Sequence, residues 1–332
     1  MKKILALVLA MLMVMSLVAC GAKGEAGAPA KDEESKKVVI YTALSNVRAD
    51  PIHESIVKQF PDYEIVFEYM GVSELGAKIA NEGTETEVDI ILDMGYAYLE
   101  SLKDYLADHS QWNQDIFQEF MRVEDRKWMP FCMFSGCIAV NLDMLEAKGL
   151  PVPQSWEDLC DPMYKGLIEM PNPASSGTGY VFLQMLVDLW GEEAALAYFD
   201  ELAPNVLAFT SSGSAPVKDL VAQECAIALC MTYQAANQIT DGNNLQILSF
   251  EGGHPWDTDG AAILAGHDTE AVKAVFSYIY DQCIYDDMAL FTEHGFLEGD
   301  GTLENFPQDI EYADMSVITL PVKEAILAKW KY

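Results

Sequence analysis

The chain has 332 residues, 52 of them acidic and 20 basic, for a formal charge of −32 at pH 7. A surplus of that size repels nucleic-acid phosphates and anionic lipid surfaces, so neither is a partner held by bulk charge. The acids are scattered, as along residues 191–202, and read as a solvated surface, while 51% hydrophobic content suffices for a core that divides into two lobes.

Behind Lys2 and Lys3, residues 4–19 form an apolar run whose only polar member is Ser16. The run is shorter than the roughly 20 residues a membrane-spanning helix needs, and it reads as a cleavable signal peptide. It ends in Leu17-Val18-Ala19-Cys20-Gly21, which resembles the bacterial lipobox. That pattern implies cleavage before Cys20, lipidation of its thiol, and a protein anchored by membrane lipid on the extracytoplasmic face of the cell membrane. Residues 21–37 carry no aromatic or branched aliphatic side chain, so they predict a flexible tether.

From Val38 the pattern is strand then helix. Residues 38–42 are apolar and β-branched, Asp50-Pro51 suits the start of a helix ending at Phe60, residues 63–69 alternate, Ser73 caps a helix to about Asn81, and residues 88–92 form a third strand. Such alternation predicts a parallel sheet, with the loops 43–48, 71–73 and 93–95 gathered on one edge where open α/β folds bind ligands. Arg48, one of three arginines, lies in the first loop beside Ser45 and Asn46. Its fork suits a carboxylate or phosphate, or else pairs with Asp50 or Glu54 on the surface.

A second block opens a helix at Trp156-Glu157-Asp158-Leu159, turns at 161–166 and enters a strand at 167–170. Ser175, Ser176, Gly177 and Thr178 then precede a helix with apolar residues at helical spacing. Hydroxyls and glycines at a helix start present free amides to an anionic oxygen, although plain N-capping also uses them. Ser212, Gly213 and Ser214 repeat the pattern before a helix with Pro216 in its first turn and an end near Gln223. Residues 226–231 form a strand that delivers Tyr233 to the same edge.

With Cys20 assigned to lipid, six cysteines remain; their two C-x4-C spacings fall in strands, where residues five apart face oppositely, so neither pair is a local metal clamp. The six read as buried apolar thiols or, in an exported protein, as disulfides of unspecified connectivity. The five histidines are dispersed without metal-ligand spacing, and Asp257-x-Asp259-Gly260 fails as a calcium loop because Pro255 and Gly266 occupy its end positions. No hydrolase, phosphate-loop or dinucleotide motif occurs, which predicts neither enzyme activity nor metal nor cofactor. An exported hydrolase with a dispersed carboxylate pair stays as the alternative from another class.

The stretch Trp156-Glu157-Asp158-Leu159, Asp161-Pro162, Tyr164-Lys165-Gly166, Asn172-Pro173 and Ser175 to Tyr180 resembles the solute-binding proteins of ATP-driven importers in the ferric-iron, phosphonate and thiamine group. Shorter likenesses at Tyr41-Thr42, Val140-Asn141, 219–223 and 266–280 extend it over most of the chain. The resemblance implies an α/β, two-lobed periplasmic-binding-protein-like type II fold with the ligand cleft between lobes. Lobe 1 would comprise 38–130 plus 260–308, and lobe 2 would comprise 131–259 plus 309–332. Carried over residue by residue, the cleft would hold Ser45, Asp93 to Gly95, Ser175 to Thr178, Ser212 to Ser214 and Tyr233. The partners implied are a small ligand and an ABC permease with its ATPase subunits, served by a monomer.

Iron-binding relatives place two adjacent tyrosines where this chain has Thr232-Tyr233, which weakens ferric iron as cargo. Glu251-Gly252-Gly253-His254 also departs from the Glu-Gly-Thr usual in relatives. Two hydroxyl-rich helix starts and Arg48 favour a phosphonate or phosphate-ester anion, with ferric iron, thiamine or a polyamine as alternatives.

Overall fold

Three parallel strands open the globular part in the computed structural model, which describes residues 36–291, 304–307, 309–315 and 318–332. The leader, Cys20 and most of the tether lie outside the described residues. β1 (Lys37–Thr42) lies between β2 (Glu64–Tyr69) and β3 (Ile90–Gly95), parallel to both. The parallel run stops there, because β3 pairs antiparallel with β9 (Trp256–Ile263), which pairs antiparallel with β4 (Met129–Asn141).

β4 joins the two halves. Its residues up to Ser135 pair with β9, whereas those from Gly136 onward pair with β7 (Ile227–Met231), and its end also pairs with β8 (Leu245–Leu248). Parallel strands β5 (Ile168–Pro171) and β6 (Val206–Thr210) extend the second half from β7. A Cβ on Gly136 would stand 2.6 Å from the Phe182 ring and 3.1 Å from Pro255, so only glycine allows this crossing. Separate cores sit on either side: Ile40, Leu92, Ile56 and Phe276 pack in one, and Ile138, Trp156, Phe182 and Phe199 in the other. Two α/β halves with their own cores, joined through a shared strand, are the two-lobed arrangement that the resemblance implies.

The helices are α1 (Asn46–Gln59), α2 (Val72–Glu82), α3 (Tyr96–Leu102), α4 (Leu142–Lys148), α5 (Gly177–Trp190), α6 (Glu192–Leu202), α7 (Ala215–Val221), α8 (Thr232–Thr240), α9 (Glu270–Tyr278), α10 (Ile284–Phe291) and α11 (Leu320–Leu327). None of the described helices is long and apolar enough to cross a membrane.

Several boundaries differ from the sequence expectation. α1 begins one turn early, with Ser45 at its N-cap position and Pro51 inside it, so Arg48 is helical rather than in a loop. The early turn buries Ala49 and seats Arg48 in a buried ion pair, and that tertiary gain overrides the proline's preference for a first turn. Gly71 stands at the N-cap position of α2, and the Ser73 hydroxyl instead meets Tyr98 Oη at 2.8 Å. The Trp156 segment forms a 3-10 turn (Glu157–Cys160), not an α-helix. Asp93, Met94 and Gly95 end β3 instead of leaving it, with a bulge between Ile91 and Met94 that puts Asp93 at φ +62°. The six described cysteines are free thiols, and Cys225 lies just ahead of its expected strand.

Candidate functional site

The second core fixes the hydroxyl-rich wall. Trp156 packs edge-on to Phe182, Tyr198 and Phe250, and Tyr164 Oη donates to Pro151 O at 2.8 Å, which holds the strand leading into α5. α5 is apolar on nearly all sides and buried through Leu186, so its N-terminus is set rigidly by packing. Ser176 Oγ accepts from Gly179 N at 3.4 Å, and Tyr180 N donates to Ser176 O at 2.9 Å. The amides of Gly177 and Thr178 therefore have no intrahelical acceptor.

Thr178 is 1% exposed, and its Oγ1 has no hydrogen-bond partner. The turn holding Ser212 and Ser214 lies over it: a Cβ on Gly213 would be 2.5 Å from that oxygen. Ser212 Oγ and Ser214 Oγ are 3.1 Å apart. α7 beyond them has only seven residues, so this second helix start contributes hydroxyls more than a dipole.

The facing wall is charged. Arg48 is bidentate to Asp287, with Nε to Oδ1 at 2.9 Å and a second contact from Nη2 to Oδ2, while its Nη1 lies 3.7 Å from Asp93. Its partners are therefore distant carboxylates rather than Asp50 or Glu54. Cys132 Sγ approaches Asp93 Oδ1 at 3.4 Å and Asp259 Oδ2 at 3.8 Å. Burial, reinforced by Asp287 and opposed by Arg48, raises the Asp93 carboxyl. Burial also lifts Asp257 to about 6, against Lys323 and the Thr258 amide, and pushes Asp259 well above the carboxylate range with help from Asp93 and Asp257. Asp93, Cys132 and Asp259 bring their donor atoms within 4.8 Å of one another, a spacing that suits a cation, although Arg48 beside Asp93 opposes one.

Between these walls is a cavity of about 920 Å³. It is lined by Ser45, Arg48, Asp93, Gly95, Ser175, Ser176, Gly177, Thr178, Ser212, Gly213, Ser214 and Tyr233; Asn46, exposed on α1, does not reach it. Tyr233 Oη accepts from Gln234 Nε2 at 3.3 Å, and burial raises its pKa. Sequence reasoning missed Tyr98, Cys132, Asp257, Asp259 and Lys323 on the lining. Asp257-x-Asp259 was visible only as a failed calcium loop, and no local pattern ties Lys323 to the cavity.

A family model described as bacterial extracellular solute-binding protein matches residues 88–293. An uncharacterised protein of Haemophilus influenzae is 26% identical over 258 residues, 76% of this chain and 73% of the relative. Among solved structures, the periplasmic binding protein P5PA superposes with a TM-score of 0.73 at 19% identity, covering 89% of this chain and 98% of P5PA. AfuA of Actinobacillus pleuropneumoniae, solved with fructose-6-phosphate bound, gives a TM-score of 0.67 at 22% identity with the same coverage.

Proposed function

The chain belongs to the bacterial extracellular solute-binding proteins, and from that premise we propose that it captures a phosphonate or phosphate ester and delivers it to an ABC permease driven by separate ATPase subunits. One observation carries the cargo: the buried Thr178 hydroxyl has no partner at the start of a 14-residue helix, beneath the Ser212 to Ser214 turn. A phosphoryl or phosphonyl oxygen there accepts from that hydroxyl and from the Gly177 and Thr178 amides, and the helix dipole favours its charge. The sugar phosphate in the AfuA structure supports the same chemistry.

In this reading the ligand bridges both walls and favours the closed lobes, which dock on the permease; the work is capture, not catalysis. The lobes divide at 38–130 plus 260–308 and 131–259 plus 309–332, joined through β4 and β9, and the protein acts as a monomer. Cys20 carries lipid, and the tether keeps the cleft near its importer. A second reading has an observation of its own, since Asp93, Asp257 and Asp259 on one wall suit a cationic cargo such as a polyamine or thiamine. Ferric iron is disfavoured because Thr232, not a second tyrosine, precedes Tyr233, so no adjacent phenolate pair is offered at that point of the lining.

Thermal-shift titration of the tag-free chain from residue 36 with phosphate esters, phosphonates, spermidine, thiamine and ferric citrate tests this. The melting temperature rises with phosphate-ester or phosphonate concentration. A rise with spermidine or thiamine alone overturns the anion reading.

A further inference from the structure

Among the described residues two cations line the cleft, and they are held differently. The Arg48 guanidinium is engaged by Asp287 and lies beside Asp93, so its charge is already matched. Lys323, on α11, also lines the cavity, yet no carboxylate of a described residue forms an ion pair with its Nζ. That Nζ lies instead over two aromatic faces, 4.5 Å from the Tyr180 centroid and 5.4 Å from the Tyr98 centroid. Tyr180 is in the first turn of α5, four residues after its cap, and Tyr98 is on α3 across the cleft. The ammonium therefore stands beside the first turn of α5, between Tyr180 and Tyr98, and it lines the same cavity as Ser175 to Thr178 at that helix start.

Ring faces orient an ammonium but do not replace an anion, and the stabilisation they give is about 0.5 to 2 kcal/mol. Burial lowers the Lys323 pKa, opposed by Asp257 and Asp259, as expected of a cation short of a partner. We propose that Lys323 supplies the positive charge that meets the anionic group of the ligand, and that the C-terminal helix α11 is part of the binding site. This rests on the anion reading above and names the residue that would carry its charge. Arg48, in contrast, keeps the opposite wall in shape. A lysine suits the role because its compact ammonium can leave the two rings for a phosphoryl oxygen by rotamer changes alone.

The test is calorimetric titration of the chain from residue 36 with fructose 6-phosphate, inorganic phosphate and 2-aminoethylphosphonate as probes, over several salt concentrations. Variants Lys323→Met, Lys323→Arg and Thr178→Val are compared with the parent. For the probe that binds best, Lys323→Met is expected to weaken affinity at least tenfold and flatten its salt dependence. Lys323→Arg should stay within about threefold of the parent, and melting temperatures without ligand should be unchanged. Affinity lost in Thr178→Val but kept in Lys323→Met overturns the role of Lys323 while leaving the anion reading in place. A parent protein that binds none of the probes overturns both.

Discussion

The two walls of the cleft solve the burial of polar groups in opposite ways. On one, three carboxylates, a guanidinium and a thiol hold one another: Arg48 clasps Asp287 and lies beside Asp93, and Cys132 approaches Asp93 and Asp259. On the other the hydroxyl-rich helix start is itself uncharged, the buried Thr178 hydroxyl has no partner, and the Gly177 and Thr178 amides have no intrahelical acceptor. The wall with the most charge is thus largely occupied by its own contacts. Unmatched hydrogen-bonding capacity marks where a ligand would dock better than charge does.

The largest effect that would test this contrast is removal of the clasp. Arg48→Met leaves Asp287 buried beside Asp93 with no counter-charge, which should lower stability by about 3 to 5 kcal/mol in urea unfolding. A loss under about 1 kcal/mol would mean that the charged wall is not self-sufficient. Gly213→Ala comes next: its methyl would meet Thr178 Oγ1 at 2.5 Å and force the serine turn outward, costing about 1 to 3 kcal/mol and abolishing ligand-dependent melting shifts. Retained shifts would separate the serine turn from the binding wall.

A pH comparison addresses the charged wall alone. Asp257 is raised from 3.8 to about 6 in the fold, so the folded state holds its proton more tightly than the unfolded chain. Its contribution to stability is fully present below pH about 4 and is lost as pH rises through about 6. Asp257→Asn should therefore gain stability relative to the parent between those pH values, as read by denaturant titration at pH 4 and pH 7; parallel curves would place Asp257 in solvent. The smallest expected change is Thr178→Val, which removes an unpartnered buried hydroxyl and should leave unfolding within about 1 kcal/mol of the parent or slightly more stable. Strong destabilisation by this variant would show that the hydroxyl is a structural group.

Local patterns revealed a good deal. The helix beginning at Gly177 is capped by Ser176, and the serine turn precedes a helix with Pro216 in its first turn, because capping chemistry operates within three or four residues. The Asp50-Pro51 start failed for the opposite reason: the turn ahead of it is stabilised by Asp287, which is 239 residues away from Arg48. The antiparallel β9 and the shared β4 were equally hidden, since pairing partners are not encoded in a strand's own alternation.

By itself, then, the sequence determined the alternation of strands and helices, the chemistry at each helix start and the resemblance to solute-binding proteins, all of which depend on short-range order or on motif. Tertiary structure alone decided which charges pair, that Arg48 is clasped, and that Lys323 from the C-terminal helix stands beside Tyr98 and Tyr180. The physical reason is chain closure: contacts between residues more than two hundred positions apart in some cases, and over a hundred and forty in others, arise from how two cores and a shared strand pack, not from any local preference of the residues that meet.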